Sequence, residues 1–309
     1  MATLAPPSPL HLPDLLPAGD FWLPSPDLSG CVRGIMVRHT TGTRLQPHQR
    51  VNHYPSTPLC SLTWWFTGTA QQLLCPPEQA THGIGGKQVW GGPRMPATSP
   101  WLWSGPLPEP TTTHNPGPVH VMTVMLMPDA MAALAGIRPT EWVGRFEDAA
   151  AVLPPDWLAL RDAVAQAPTD ALRVQALEAF LTPRWQSCRP AAPALMQRYA
   201  DWSDHLAQRA ALAARGSSLR QWERRIKQWT GMSMRGIKGF ARGEATFFQS
   251  IAAYLRDGEV DWADLALELG YADQPHMCRE TRRYTGFSPE QLRQGMLTQE
   301  SFWPYRLWV

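Results

Sequence analysis

The chain has 309 residues, enough for two domains that each bury a core, and its formal net charge of +2 is too close to neutral to demand a nucleic-acid partner by itself. Its five cysteines (Cys31, Cys60, Cys75, Cys188 and Cys278) are odd in number, widely spaced and never in a C-x-x-C pair. That pattern indicates neither a disulfide framework nor a zinc site, and predicts reduced, buried thiols. No run of about 18 apolar residues occurs, and the first residues lack the basic segment and unbroken apolar run of a signal peptide. The expected location is therefore cytoplasmic, with no membrane partner.

In chain order, a flexible segment is expected over 1–29, followed by a β-rich domain over 30–127. Residues 1–118 hold 20 of the 31 prolines and 12 of the 23 glycines, in clusters such as Gly91-Gly92-Pro93 and Asn115-Pro116-Gly117. Between these clusters lie brief runs of β-branched and aromatic residues at 31–39, 61–66, 87–90, 101–103 and 119–127. Short apolar runs punctuated by turn residues predict a sandwich or a barrel of cupin-like type. Trp64, Trp65, Trp90, Trp101 and Trp103 fall here and are candidates to line a pocket for an apolar effector, although for each one packing in the core is the commoner role. The histidines His39, His48, His53, His114 and His120 include no H-x-H pair, so neither a cupin metal nor any other cofactor is expected. No nucleophile elbow, H-E-x-x-H, P-loop or dinucleotide fingerprint is present.

From Pro128 the periodicity becomes helical, with apolar residues three and four apart over 129–135, 155–165 and 170–185. This predicts a helical linker region over 128–192, closed by the proline-containing junction 189–193. The last third is predicted to be all-helical. Basic charge concentrates here: residues 1–192 hold 12 Lys/Arg against 13 Asp/Glu, whereas 207–243 hold 9 against 1.

The segment SLRQWERRIKQWTGMS (218–233) recurs as DQPHMCRETRRYTGFS (273–288) at a constant offset of 55 residues. Arg224 aligns with Arg279, Lys227 with Arg282, Trp229 with Tyr284, and Thr230-Gly231 with Thr285-Gly286, so one supersecondary unit is used twice. Each copy reads as a capped helix. Ser218 and Asp273 are N-caps, Pro275 is tolerated in the first turn, and Gly231 and Gly286 are suited to a left-handed C-cap. Trp222, Ile226 and Trp229 form an apolar stripe that Met277, Thr281 and Tyr284 repeat. Shorter apolar-periodic segments precede both helices at 206–214 and 262–269, followed by breaks at 215–217 and 270–272. Helix, glycine-containing turn and capped basic helix is the helix-turn-helix arrangement. A generic αα-hairpin shares the periodicity, but two copies with matched basic residues favour DNA binding.

The run ADLALELGYADQPHMCRETRRYTGFSP (263–289) closely resembles the second helix-turn-helix of the AraC family of bacterial transcription regulators, and LRQWERRIKQWTGMS resembles the first. The resemblance implies a DNA-binding domain over 193–297, a tail over 298–309, and a long helix over 234–257 joining two units that read successive major-groove segments about 34 Å apart. It places Arg220, Glu223, Arg224, Gln274, His276 and Arg279 as base readers, and Ser218, Lys227, Arg282 and Arg283 as phosphate contacts. Two departures stand out. Gly239 and Gly243 each weaken the joining helix by about 1 kcal/mol relative to alanine, and Pro275 removes a polar reader, so the first unit is expected to carry more of the affinity. The segment 53–68 resembles the start of an effector or dimerisation domain. The implied partners are promoter double-stranded DNA, a small-molecule effector, RNA polymerase and a second copy of the chain. The expected function is a sequence-specific transcription regulator and not an enzyme. The alternative is an enzyme fused to a DNA-targeting module, such as a DNA alkyl acceptor using Cys31, Cys60 or Cys75, which requires an activated thiolate. Cys278, on the second reading helix, is expected to be half-buried packing.

Overall fold

The computed structural model describes residues 19–73, 94–96, 99–189, 196, 198–213 and 219–309. The first part is antiparallel β-structure. Strands β1 (Gly19–Trp22), β2 (Val32–His39), β4 (Cys60–Thr67), β7 (Trp101–Ser104), β9 (His120–Leu126) and β10 (Phe146–Asp148) form a six-stranded sheet in the order β1-β2-β9-β4-β7-β10. A four-stranded sheet runs β3-β8-β5-β6, from β3 (Val51–Tyr54), β5 (Gln71–Leu73), β6 (Arg94–Pro96) and β8 (Thr111–His114). The expected runs at 31–39, 61–66, 101–103 and 119–127 correspond to β2, β4, β7 and β9, while 87–90 lies outside the described residues. The strands without a sequence signal are short: β8 is TTTH, and β1, GDFW, lies in the segment expected to be flexible and is ordered by pairing with β2.

Alternation along the large sheet separates two environments, because successive strand side chains point to opposite faces. On β4, Leu62 and Trp64 are buried while Ser61, Thr63 and Trp65 are half-buried on the other face. The buried face, with Ile35, Val37, Met122 and Val124, packs against the helical region. This comprises α1 (Pro128–Ala135), α2 (Ala149–Val152), α3 (Leu158–Gln166) and α4 (Asp170–Cys188). Tryptophan N–H groups fasten the layers: Trp64 Nε1 donates to the Arg161 carbonyl at 3.3 Å and Trp185 Nε1 to that of Ser29 at 3.0 Å.

The C-terminal part contains α5 (Tyr199–Ala213), α6 (Leu219–Thr230), α7 (Met234–Asp257), α8 (Trp262–Glu268), α9 (Gln274–Thr285), α10 (Pro289–Thr298) and α11 (Trp303–Arg306). A β-rich N-terminal part followed by a helical part, with one long helix between two helix-turn-helix units, is the architecture expected from the sequence. The core that begins on the large sheet continues through the linker helices into Trp202, Leu206, Ala210 and Ile226 of the first unit. The second unit has two small cores of its own, around Leu265, Tyr271 and Met277, and around Ile251, Phe287, Leu292, Met296 and Phe302.

Gly239 in α7 has a specific reason. A Cβ there would lie 2.1 Å from the hydroxyl of Tyr284, so the glycine permits the second reading helix to close on α7. The expected weakness of that helix is thus coupled to a packing requirement, and α7 runs unbroken for 24 residues.

Candidate nucleic-acid interface and the adjoining cavity

The two units are built by the same local chemistry. Thr230 and Thr285 end the reading helices by donating Oγ1 to the carbonyls of Ile226 and Thr281, each at 2.8 Å, and accepting from the N–H of Met232 and Phe287. Gly231 and Gly286 follow with φ of 78° and 83°, the left-handed conformation a side chain disfavours. Ser233 and Ser288 then cap the next helices, accepting from Gly236 N and Gln291 N. The repeated Thr-Gly-x-Ser is therefore a helix stop joined to a helix start.

In the first unit, α5 precedes α6, and residues 214–218, with Ser218, lie outside the described residues. Ile226 is buried, Trp222 and Trp229 are half-buried, and Arg220, Glu223, Arg224 and Lys227 are exposed together. Trp229 also receives the Arg209 guanidinium over its ring at 4.3 Å. Asp129 on α1 holds this unit to the linker, accepting from Trp202 Nε1 at 3.0 Å and pairing with Arg209 at 3.1 Å.

In the second unit, α8 leads through Gly270 to the Asp273 cap, which accepts from His276 N. Met277, Thr281 and Tyr284 are buried beneath α9, and Gln274, Arg279, Arg282 and Arg283 are exposed. His276 differs: it is half-buried, its Nδ1 accepts from Ala272 N at 3.3 Å, and its ring meets Tyr271 edge-on. It holds the turn in front of the helix. Arg283 lies 3.6 Å from Glu280, whereas Cys278 is half-buried. Sequence reasoning passed over Arg235 and Lys238, which are exposed on α7 within the same basic stretch.

Next to the second unit lies a cavity of about 790 Å³. Its sheet wall comes from Met36, Ser61, Thr63, Trp65, Val121, Thr123 and Met125, and its helical wall from Phe247, Ile251, Tyr284, Leu292, Met296 and Tyr305. Of the tryptophans proposed for a pocket, Trp65 stands on this face, whereas Trp103, which borders the cavity, is wholly buried and paired with Leu62 on the opposite, helix-packed face. Trp64 and Trp101 are paired on adjacent strands of the opposite face and belong to the helix-packed core. Neighbouring residues of one strand cannot share a face, so Trp64 and Trp65 could not both have lined a single pocket. Trp90 lies outside the described residues.

The chain after α10 closes the cavity, a role no sequence signal announced. Glu300 is buried between Arg38 of β2 and Arg306, at 2.6 Å from each, and burial pulls the Arg38 pKa below its ordinary value despite that partner. Trp303 Nε1 donates to Asn52 Oδ1 at 2.7 Å, and Ser56 donates both its N–H and its hydroxyl to the Tyr284 carbonyl.

The cysteines divide. Cys31 and Cys60 are fully buried with their thiol pKa values driven far up by desolvation, so neither supplies a thiolate. Cys188 is exposed, contrary to the expectation of burial, because it ends α4. Cys75 lies outside the described residues. Among the described residues no helix is long and apolar enough to cross a membrane.

Two helical units joined by one long helix each present an exposed polar face, the arrangement of a helix-turn-helix DNA-binding regulator. Residues 255–294, from the last turn of α7 into α10, match the family model described as bacterial regulatory helix-turn-helix proteins, AraC family. The C-terminal region thus carries an AraC-family helix-turn-helix. No curated protein matches the chain. Among solved structures, an apo point variant of ToxT from Vibrio cholerae aligns with 9 % identity and a TM-score of 0.35 over 83 % of this chain and 95 % of that one. Unsaturated fatty acid bound wild-type ToxT aligns with 9 % identity and a TM-score of 0.32 over 80 % and 95 %. At these scores the overall likeness is slight.

Proposed function

We propose that the protein is a sequence-specific transcription regulator whose two reading helices enter neighbouring major-groove segments of a promoter, and whose cavity takes a small apolar effector. The observation that carries the reading is the pair of exposed polar faces on α6 and α9, each above a buried apolar stripe and closed by the same Thr-Gly stop. Arg220, Arg224 and Arg279 have the guanidinium geometry for guanine O6 and N7, Gln274 can pair with adenine, and Glu223 can accept from cytosine N4. Lys227, Arg282 and Arg283 anchor to phosphates. His276 is a reader only through what its turn-holding position leaves available.

The effector reading rests on the position of the cavity. One wall is the sheet, whose core continues into the first unit, and the other is the second unit. A molecule filling that space touches both bodies and so biases their relative orientation. Its volume falls within the range of small-molecule sites, about 300–1,000 Å³.

The test is footprinting of the purified protein on random genomic fragments, with and without a metabolite panel. Protection of two neighbouring major-groove segments is expected, and a metabolite that shifts occupancy should lose its effect in Thr123→Trp, which fills the cavity away from the reading faces. Arg279→Ala should relax preference at one base pair, at about 1–3 kcal/mol. Lys227→Ala should weaken all sequences alike and flatten the salt slope by about one. Equal losses on every sequence from both variants would sink the division of roles.

A further inference from the structure

His39 ends β2 and His120 begins β9, and the two are paired in register across the antiparallel ladder. Their side chains therefore share a face, and their rings stack with centroids 4.3 Å apart. Helix α4 starts against them with Asp170 as its first residue, whose carboxylate oxygens lie 2.9 and 3.1 Å from His120 Nε2. Among the described residues this is the group whose potential ligand atoms, one from each of three side chains, all fall within 4.8 Å of one another.

We propose that His39, His120 and Asp170 bind a divalent transition-metal ion of the zinc type, at the end of the six-stranded sheet and on the face away from the cavity. Two imidazoles and one carboxylate leave the fourth tetrahedral position open to water, a donor set that suits Zn²⁺, Co²⁺ or Ni²⁺ better than Ca²⁺ or Mg²⁺. Bonds of about 2.0–2.1 Å at tetrahedral angles place ligand atoms roughly 3.3 Å apart, so His120 and Asp170, at 2.9 Å, spread slightly around the ion while exposed His39 swings in to complete the set. Supporting contacts are in place. The Thr41 hydroxyl lies 2.6 Å from His39 Nε2, and Arg173 Nη1 donates to Asp170 Oδ1 and lies 3.3 Å from His120 Nε2, where an ion would displace it. The Phe66 ring packs on His120 and beneath the Arg173 guanidinium. Such outer contacts orient ligating side chains. The Arg173 cation works against the metal, so the site is of moderate affinity.

The proposal does not depend on the DNA or effector readings. Chelator-stripped, full-length protein is titrated with Co²⁺ while visible d–d absorption is followed, and Zn²⁺ is then added in competition. The expected result is saturation at one Co²⁺ per chain with four-coordinate intensity, displacement by Zn²⁺, and at least tenfold weaker binding in both His39→Gln and Asp170→Asn. His39 is exposed, so its variant keeps the fold; circular dichroism checks this for both. Zn²⁺ should also raise the thermal midpoint of the parent protein and not of His39→Gln. Absorption that never saturates, or that is unchanged in both folded variants, overturns the proposal.

Discussion

His53 shows how much one side chain can report. It is buried where the four-stranded sheet meets the second unit, with the rings of Phe287 and Phe302 each 5.0 Å away and Thr112 Oγ1 3.2 Å from Nδ1. Burial lowers its pKa to about 4 from an ordinary value of 6.5. Between those values the unfolded chain binds a proton that the folded chain refuses, so stability is complete above pH 6.5 and is lost as pH falls toward 4. At pH 5 the His53 share of the loss is about 2 kcal/mol. His120 and His205 are lowered as well, so the parent protein's decline is a sum. Urea unfolding at pH 7.5 and pH 5 should show a smaller decline for His53→Gln than for the parent; equal declines would exclude the buried imidazole as a source. Nothing in the sequence distinguishes His53 from exposed His48, because burial is a property of the whole chain's path.

Elements were the most legible level. The repeat exposed both reading helices, their apolar stripes and their stops, since caps and periodicity are local chemistry. It could not reveal why α7 contains two glycines. The structure separates them: a Cβ at Gly239 meets the Tyr284 hydroxyl at 2.1 Å, whereas at Gly243 the nearest ring atom is 3.4 Å away, an ordinary contact. Gly239→Ala should therefore destabilise by about 1–3 kcal/mol through overpacking, outweighing the gain of about 1 kcal/mol in helix propensity. Gly243→Ala should be neutral or stabilising. Denaturant midpoints of the two variants check this, and matching shifts would show that propensity alone decides. The strands were legible where they are long and apolar. β3, β5 and β8 are short and polar because they gain their pairing from the sheet around them.

At the scale of the molecule, the chain after α10 ties the second unit to the sheet. Glu300 has side-chain exposure of 1 % and Arg38 of 2 %, so removing Glu300 takes the anion from two cations at once, whereas removing Arg38 leaves Glu300 with Arg306. Glu300→Ala should lower stability by about 3–5 kcal/mol, and the apolar pair Arg38→Met with Glu300→Leu should recover part of that loss, with Arg306 keeping its bonds to the Met296 and Gln299 carbonyls. Thermal unfolding measures both, and limited proteolysis should cut the tail of the single variant first. An unchanged midpoint in Glu300→Ala would mean that this contact does not hold the second unit. Arg38 and Glu300 are separated by 262 positions, and neither belongs to a pattern that periodicity or capping could flag.

The sequence by itself determined the class of the C-terminal region, the two capped helices α6 and α9 and their exposed polar faces, because these follow from interactions within about four residues along the chain. Tertiary structure decided which tryptophan faces the cavity, how the second unit is fastened over it, and that His39, His120 and Asp170 meet. Those outcomes depend on strand register and on contacts between segments far apart in the chain, where a shift of one residue exchanges the two faces of a sheet.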